Sequence, residues 1–200
     1  MREILPGVVH WTARHPNLGS DVSCYALPAA GVALNPMEPA EGLGWFREHG
    51  TPRDVLLTNR HHFRDSDAFV RAFGCTVHCH RSGLGEFGPD TEVQPFDFGD
   101  ALPGGAVAHE VDAISPEETA LHLPGVRALA FADGLVDLGR GLSFVPDELI
   151  GDDPAAVKRG LLAAFARLLE LDFDALLLAH GDPVPRGGKA ALRRFVDEAG

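Results

Sequence analysis

Side chains that could carry chemistry are concentrated in one short stretch of the chain, between Asp54 and Asp67. Two adjacent histidines, His61 and His62, stand there together with one asparagine and two arginines. An imidazole can bind a metal ion or transfer a proton near neutral pH. It can also make only the hydrogen bonds of an ordinary turn. The local sequence leaves both interpretations open.

The flanking residues place this stretch between a strand and a helix. Residues 55–57 form an apolar run of the kind found in buried strands. Asp65 or Ser66 can cap a helix over residues 65–73. Because side chains converge at the carboxyl ends of strands in α/β proteins, the turn after residue 57 is a candidate site.

The rest of the chain predicts a single domain over residues 1–200, of the α/β (α+β) class. The first half alternates strands with helices, and the second half begins with a meander of antiparallel strands. Predicted strands cover residues 3–12, 20–27, 31–34, 55–58, 75–80, 91–98, 106–113, 119–123, 127–132 and 174–179. Predicted helices cover residues 39–49, 65–73, 154–171 and 188–198.

The stretch after residue 57 resembles the Thr-His-x-His-x-Asp-His signature of the metallo-β-lactamase fold superfamily. Thr58 and His61 match two positions of that signature. At the other three positions, Asn59 replaces the first His, Phe63 replaces the Asp and Arg64 replaces the last His.

Three later segments resemble further landmarks of the same superfamily, in the same order. Residues 130–134, Ala-Phe-Ala-Asp-Gly, resemble the element whose Asp bridges two metals, and residues 176–183 resemble the final strand-His-Gly-x-Pro element. Residues 114–123 resemble a segment that supplies a ligand His, and Ile114 stands in its place. The resemblance implies an αββα four-layer sandwich, in which two packed mixed sheets are covered by outer helices.

The resemblance also implies which residues could hold a metal. His61, Asp133 and His180 occupy ligand positions of the family, whereas Asn59, Phe63, Arg64 and Ile114 have replaced the other four. A partial site of this kind predicts either no cofactor or one transition metal, namely zinc, iron or manganese. Asp133 and His61 are then the candidate catalytic residues. The other residues expected to line the site are Asn59, Arg60, His62, Phe63, Arg64 and His109.

Three interpretations of function stay open. The first is a degenerate metallo-β-lactamase-fold protein that binds a small molecule or partner without hydrolysing it. The second is a metal-dependent hydrolase of esters, thioesters or lactones that uses one metal on His61, Asp133 and His180. The third is a general α/β domain in which the motifs are coincidental.

Two arginines close to the replaced ligands suggest what fills the site instead of metal. A buried carboxylate requires a counter-charge, and a guanidinium can bind one through two parallel hydrogen bonds. The sequence therefore predicts that Arg64, or else Arg60, pairs with Asp133. Phe63 is expected to fill the remaining volume.

Composition limits the partners. The formal net charge of −12 disfavours nucleic-acid binding, and no apolar run approaches the length of a membrane span. Three cysteines, an odd number, predict free thiols and a cytoplasmic location rather than a disulfide framework. His78 and His80, which share one face of a predicted strand, form a rival cluster that could chelate a metal.

Overall fold

The computed structural model describes all 200 residues. Its larger sheet has seven strands that lie side by side in chain order. Strands β1 to β4 pair antiparallel, whereas β4 to β7 pair parallel. The bounds of these strands are β1 Arg2–Leu5, β2 Val8–Arg14, β3 Asp21–Leu27, β4 Val32–Leu34, β5 Asp54–Leu56, β6 Thr76–His80 and β7 Gln94–Phe96.

The smaller sheet has four strands in the order β13-β10-β9-β8, and a two-stranded hairpin, β11–β12, lies apart from it. Only the β10–β13 pair of this sheet is parallel. Its strands are β8 Val107–Glu110, β9 Thr119–Leu123, β10 Ala128–Phe131 and β13 Ala175–Leu178, and the hairpin strands are β11 Val136–Asp137 and β12 Leu142–Ser143. The helices are α1 Gly44–His49, α2 Ser66–Phe73, α3 Pro154–Leu168 and α4 Gly188–Ala199.

Strand alternation divides the buried side chains into three layers of core. In β5 and the residue after it, Leu56 faces the central cluster between the two sheets, while Val55 and Leu57 face an outer cluster. That outer cluster contains Phe46 of α1 and Phe69 of α2. A third cluster packs α3 and α4 on the other sheet. This arrangement confirms the predicted four-layer αββα sandwich of two mixed sheets.

Four sequence predictions differ from the structure. Residues 3–12 form two strands rather than one, because the chain turns at Pro6 and Gly7. Strand β7 joins the larger sheet beside β6 and takes no part in the antiparallel meander. Helix α1 begins at Gly44, five residues later than predicted. The β11–β12 hairpin was not predicted, since two-residue strands carry no periodic signal.

None of the helices has the length and apolar character that crossing a membrane requires. Cys24, Cys75 and Cys79 are all buried, and none forms a disulfide.

Candidate metal site

His62, Asp133 and His180 meet at one edge of the sandwich, where strands of both sheets end. His62 lies in the turn after β5, Asp133 follows β10, and His180 follows β13. Strands β10 and β13 are parallel neighbours, so their carboxyl ends lie side by side. The site is therefore assembled between the two sheets, at the strand ends where the sequence predicted it.

Three atoms of these side chains form a nearly equilateral triangle. Asp133 Oδ1 lies 3.0 Å from His180 Nε2 and 3.3 Å from His62 Nε2. The two Nε2 atoms are 3.3 Å apart. All three potential ligand atoms thus lie close enough together to bind one ion.

A short 3-10 turn over residues 60–63 directs His62 inward. Asn59 caps this turn, and its side-chain oxygen accepts a hydrogen bond of 3.0 Å from the backbone N–H of His62. The ring is held from behind by Thr58 Oγ1, which lies 3.0 Å from His62 Nδ1. Asn35 in turn bonds both the hydroxyl and the backbone N–H of Thr58. Such buried partners fix the orientation of a ligating imidazole.

Asn59 also restrains Asp133. Its Nδ2 donates a hydrogen bond of 2.7 Å to Asp133 Oδ2, the carboxylate oxygen that faces away from the histidine Nε2 atoms. One amide side chain therefore fixes both the turn that carries His62 and the rotation of the Asp133 carboxylate.

Burial sets the charge of these groups. Burial lowers the pKa of His62 to about 4, against the opposing effect of Asp133, so the imidazole is neutral at pH 7. Burial also opposes ionisation of Asp133, but His62 and His180 outweigh it and hold the pKa of Asp133 well below its usual range. At neutral pH, Asp133 is therefore an anionic carboxylate and His62 a neutral imidazole. Both are the forms that bind metal.

The structure corrects the choice between the two adjacent histidines. His61, the ligand predicted from the signature, has an exposed side chain on the wall of the neighbouring cleft. His62 takes its place against Asp133 and His180. The shift of one position arises because the chain enters a 3-10 turn directly after Asn59. Asp133 and His180 lie together, as expected.

The predicted pairing of an arginine with Asp133 is wrong for both candidates. Arg64 instead donates hydrogen bonds to the backbone carbonyls of Ser23, Asn35 and Ala179, at 2.9, 2.8 and 3.4 Å. Its backbone φ of 48° turns the side chain in that direction. Arg60 forms an ion pair with the fully buried Glu117.

Other predicted residues lie outside the triangle. Phe63 packs against the ring of Phe87 in the outer core and does not fill the site. His109 lies beside His122 and lines a separate cavity of about 310 Å³. Ile114 lines the main cleft, where an apolar side chain offers no ligand atom.

The rival pair on β6 has other partners. His78 contacts Asp54 at 2.8 Å, and His80 stacks on Phe98 with ring centroids 3.9 Å apart. Neither histidine belongs to a group of three potential ligands.

One buried acid was not predicted from the sequence. Glu118 is fully buried, and it accepts a hydrogen bond of 2.6 Å from the backbone N–H of Gly134. Burial, reinforced by the charge of Asp133, raises the pKa of Glu118 to about 8. Glu118 therefore supports the turn that carries Asp133. The only available signal was the adjacent pair Glu117 and Glu118 directly before the strand predicted over residues 119–123.

The donor set matches the chemistry of a transition metal. Two imidazole nitrogens and one carboxylate oxygen suit zinc, iron or manganese. Zinc–ligand bonds of about 2.0–2.1 Å place neighbouring atoms of a tetrahedron about 3.4 Å apart. The three separations of 3.0 to 3.3 Å are close to that value. The residues present thus fit one ion.

A cleft of about 810 Å³ opens directly onto the three donors. His61, Arg64 and Asp65 line it together with His62, Asp133 and His180. The remaining wall is largely apolar. The volume of the cleft lies in the range of clefts that bind small molecules. Because the three donors line the cleft, a ligand bound there can reach them.

Several solved structures match this chain at 12 to 23% sequence identity. A metallo-β-lactamase family protein from Thermus thermophilus is 16% identical with a TM-score of 0.70, and the match covers 98% of this chain and 80% of that one. The protein TTHA1623, in a di-iron-bound form, is 23% identical with a TM-score of 0.62, covering 91% of each chain.

An archaeal metallo-β-lactamase superfamily protein from Sulfolobus tokodaii is 12% identical with a TM-score of 0.69, covering 96% of this chain and 85% of that one. Neither a protein-family model nor a curated protein matches the sequence.

Proposed function

We propose that this chain, a protein with the metallo-β-lactamase fold, is a hydrolase that holds one transition-metal ion on His62, Asp133 and His180. The observation that carries the proposal is the triangle of donor atoms, all within 4.8 Å of one another, at the bottom of an open cleft. The similar protein TTHA1623 was solved with two irons, so metal binding at low identity has a precedent on this fold.

One ion rather than two follows from the residues around the triangle. Asn59 engages the second oxygen of Asp133, and the carboxylate is therefore restrained from bridging a second metal. Phe63 packs in the outer core, and Arg64 donates hydrogen bonds to backbone carbonyls, so neither binds a second metal. Ile114 offers no ligand atom.

The proposed reaction is hydrolysis of an ester, thioester or lactone. A transition metal supplies Lewis acidity, which polarises a carbonyl and lowers the pKa of water in the site. The chain itself keeps His62 neutral through burial and orients it through Thr58. His61 lines the cleft. It is the proposed proton donor to the leaving oxygen of an ester or lactone, or to the leaving sulfur of a thioester.

Turnover of acyl substrates tests the proposal. Esters, thioesters and lactones should be screened with added zinc, manganese or iron. We expect hydrolysis that His62→Ala and His180→Ala abolish and that His109→Ala, a change in a separate cavity, leaves intact. His61→Ala should lower kcat by about 10²-fold or more without weakening metal binding. Hydrolysis that survives loss of both His62 and His180 would refute the proposed site.

A second candidate is a binding protein that does not hydrolyse its ligand. It is favoured by the contacts among the three donors, which already lie at 3.0 to 3.3 Å and can satisfy one another without metal. Ligand binding in the cleft with no turnover for any metal would favour this candidate.

A further inference from the structure

Three of the four most exposed large apolar side chains of the molecule line the same cleft. Leu18, Leu138 and Leu149 are 55, 60 and 66% exposed, and all three belong to the cleft wall. The fourth, Val70, is 38% exposed on α2 and lies outside the cleft. Exposed apolar groups gathered around a cavity mark a binding site.

The three leucines come from three separate segments. Leu18 lies in the loop between β2 and β3, Leu138 in the turn of the β11–β12 hairpin, and Leu149 in a 3-10 turn over residues 147–149. Met37, Val136 and Val145 line the same cleft. The cleft thus combines three potential metal ligands with six apolar side chains from these two groups.

Local hydrogen bonds order the backbone around each leucine. Asp137 Oδ1 accepts bonds from the backbone N–H groups of residues 139, 140 and 141, which orders the turn around Leu138. The N–H of Leu149 donates to Pro146 O at 2.9 Å. The N–H of Leu18 bonds His15 Nδ1 at 3.3 Å. An ordered apolar rim loses little conformational entropy when a ligand binds.

The hairpin is also attached to the metal site. The N–H of Asp137 donates to His180 O at 3.0 Å. Gly181 follows with a φ of 115°, and a Cβ there would lie 2.2 Å from Asp137 O. Only glycine permits this close approach, so the hairpin that carries Leu138 has a fixed position relative to His180.

We propose that the cleft binds a small amphiphile, with a carbonyl at the donor triangle and an aliphatic chain along Leu18, Leu138 and Leu149. This inference rests on the proposed function, because it specifies the acyl substrate of that site. The concave shape and the volume of about 810 Å³ suit a small molecule. The three leucines, with Met37, Val136 and Val145, present only apolar side chains to the cleft, so they suit an uncharged aliphatic chain.

Binding of 2-alkanones, which carry a carbonyl but are not hydrolysed, tests the chain subsite without requiring turnover. A series from pentanone to undecanone should displace a fluorescent apolar dye from the protein, with zinc and with excess chelator. We expect affinity to rise roughly three- to fourfold for each methylene group. Leu18→Ser, Leu138→Ser and Leu149→Ser should each weaken undecanone binding by at least about threefold. Val70→Ser, the matched control outside the cleft, should not.

The outcomes separate this inference from the metal proposal. Zinc binding with a flat dependence on chain length would overturn the inference and leave the metal site standing. Chain-length dependence in a protein that binds no zinc would support the apolar subsite and refute the metal site. A concentration-dependent dimer that Leu138→Ser dissociates, measured by sedimentation equilibrium, would show that a second copy covers the leucines and would overturn the inference.

Discussion

Asn59 and Asp133 face each other across the gap between the two sheets, and the amide donates a 2.7 Å hydrogen bond to the carboxylate. Asn59 lies 74 residues before Asp133 in the chain. The oxygen of the same amide accepts a hydrogen bond from the backbone N–H of His62. Two of the three potential ligands are thus positioned by one side chain, which stands where the related signature has a histidine.

Removal of that amide should weaken metal binding. Asn59→Ala frees the Asp133 carboxylate to rotate and uncaps the turn of His62, and we expect zinc affinity to fall about 10- to 100-fold. Competition with a chromophoric chelator measures the change. Asn17→Ala, a change in the exposed loop of the cleft, should leave zinc affinity the same. Equal affinities for both variants would contradict the positioning role of Asn59.

Arg64 should matter for stability. Its guanidinium bonds three backbone carbonyls that belong to both sheets. Arg64→Met removes these three hydrogen bonds, and only Ala179 O keeps another donor among the contacts described, the backbone N–H of Ser23 at 3.0 Å. We expect the free energy of unfolding to fall by about 2–4 kcal/mol. Urea unfolding measures it. Arg140→Met, at an exposed position, should change it by less than about 0.5 kcal/mol. If Arg64→Met lowered the free energy of unfolding as little as Arg140→Met does, the stabilising role of Arg64 would be refuted.

Gly134 leaves no space for a side chain. A Cβ there would lie 2.7 Å from Leu161 Cδ2 and 2.9 Å from Glu118 Oε1. Gly134→Ala should therefore displace the turn after Asp133, lower stability by about 1–3 kcal/mol and weaken zinc binding. Gly125→Ala is the matched control, since a Cβ at Gly125 meets nothing within 4 Å. Thermal unfolding and zinc titration of both variants check the prediction, and equal behaviour would contradict it.

His10 should contribute to loss of stability in acid. Burial, with a smaller effect of Arg2, lowers the pKa of His10 to about 4 from its ordinary value of 6.5. Between these two values the unfolded chain binds a proton that the folded chain does not, so stability falls as pH falls from 6.5 to 4.

His10→Gln removes this dependence. The slope of unfolding free energy against pH in that window should decrease by up to about 1.4 kcal/mol per pH unit relative to the original chain. Urea titrations at several pH values measure the slope. An unchanged slope would mean that His10 is protonated in the folded state.

The pattern of strands and helices predicted only the α/β (α+β) class, and the four-layer sandwich came from the resemblance to the superfamily. The residues after β10 and β13 placed Asp133 and His180 in the candidate site. The motif indicated His61 rather than His62, since it assumes a turn geometry that the Asn59 cap changes by one residue. The hydrogen-bond partners of Arg64 were also not predicted, for a related reason. Its positive φ is rare for a side chain other than glycine, and the carbonyls it binds come from distant segments.

The most direct test of the central claim is calorimetric titration of zinc into three proteins: the original chain, His62→Ala and His61→Ala. Both substitutions remove one histidine side chain at adjacent positions, so the change in composition is the same for the two variants. We predict one equivalent of zinc for the original chain and for His61→Ala, and at least about 100-fold weaker binding for His62→Ala. Two equivalents in the original chain, or loss of binding in His61→Ala with retention in His62→Ala, would contradict the site described above.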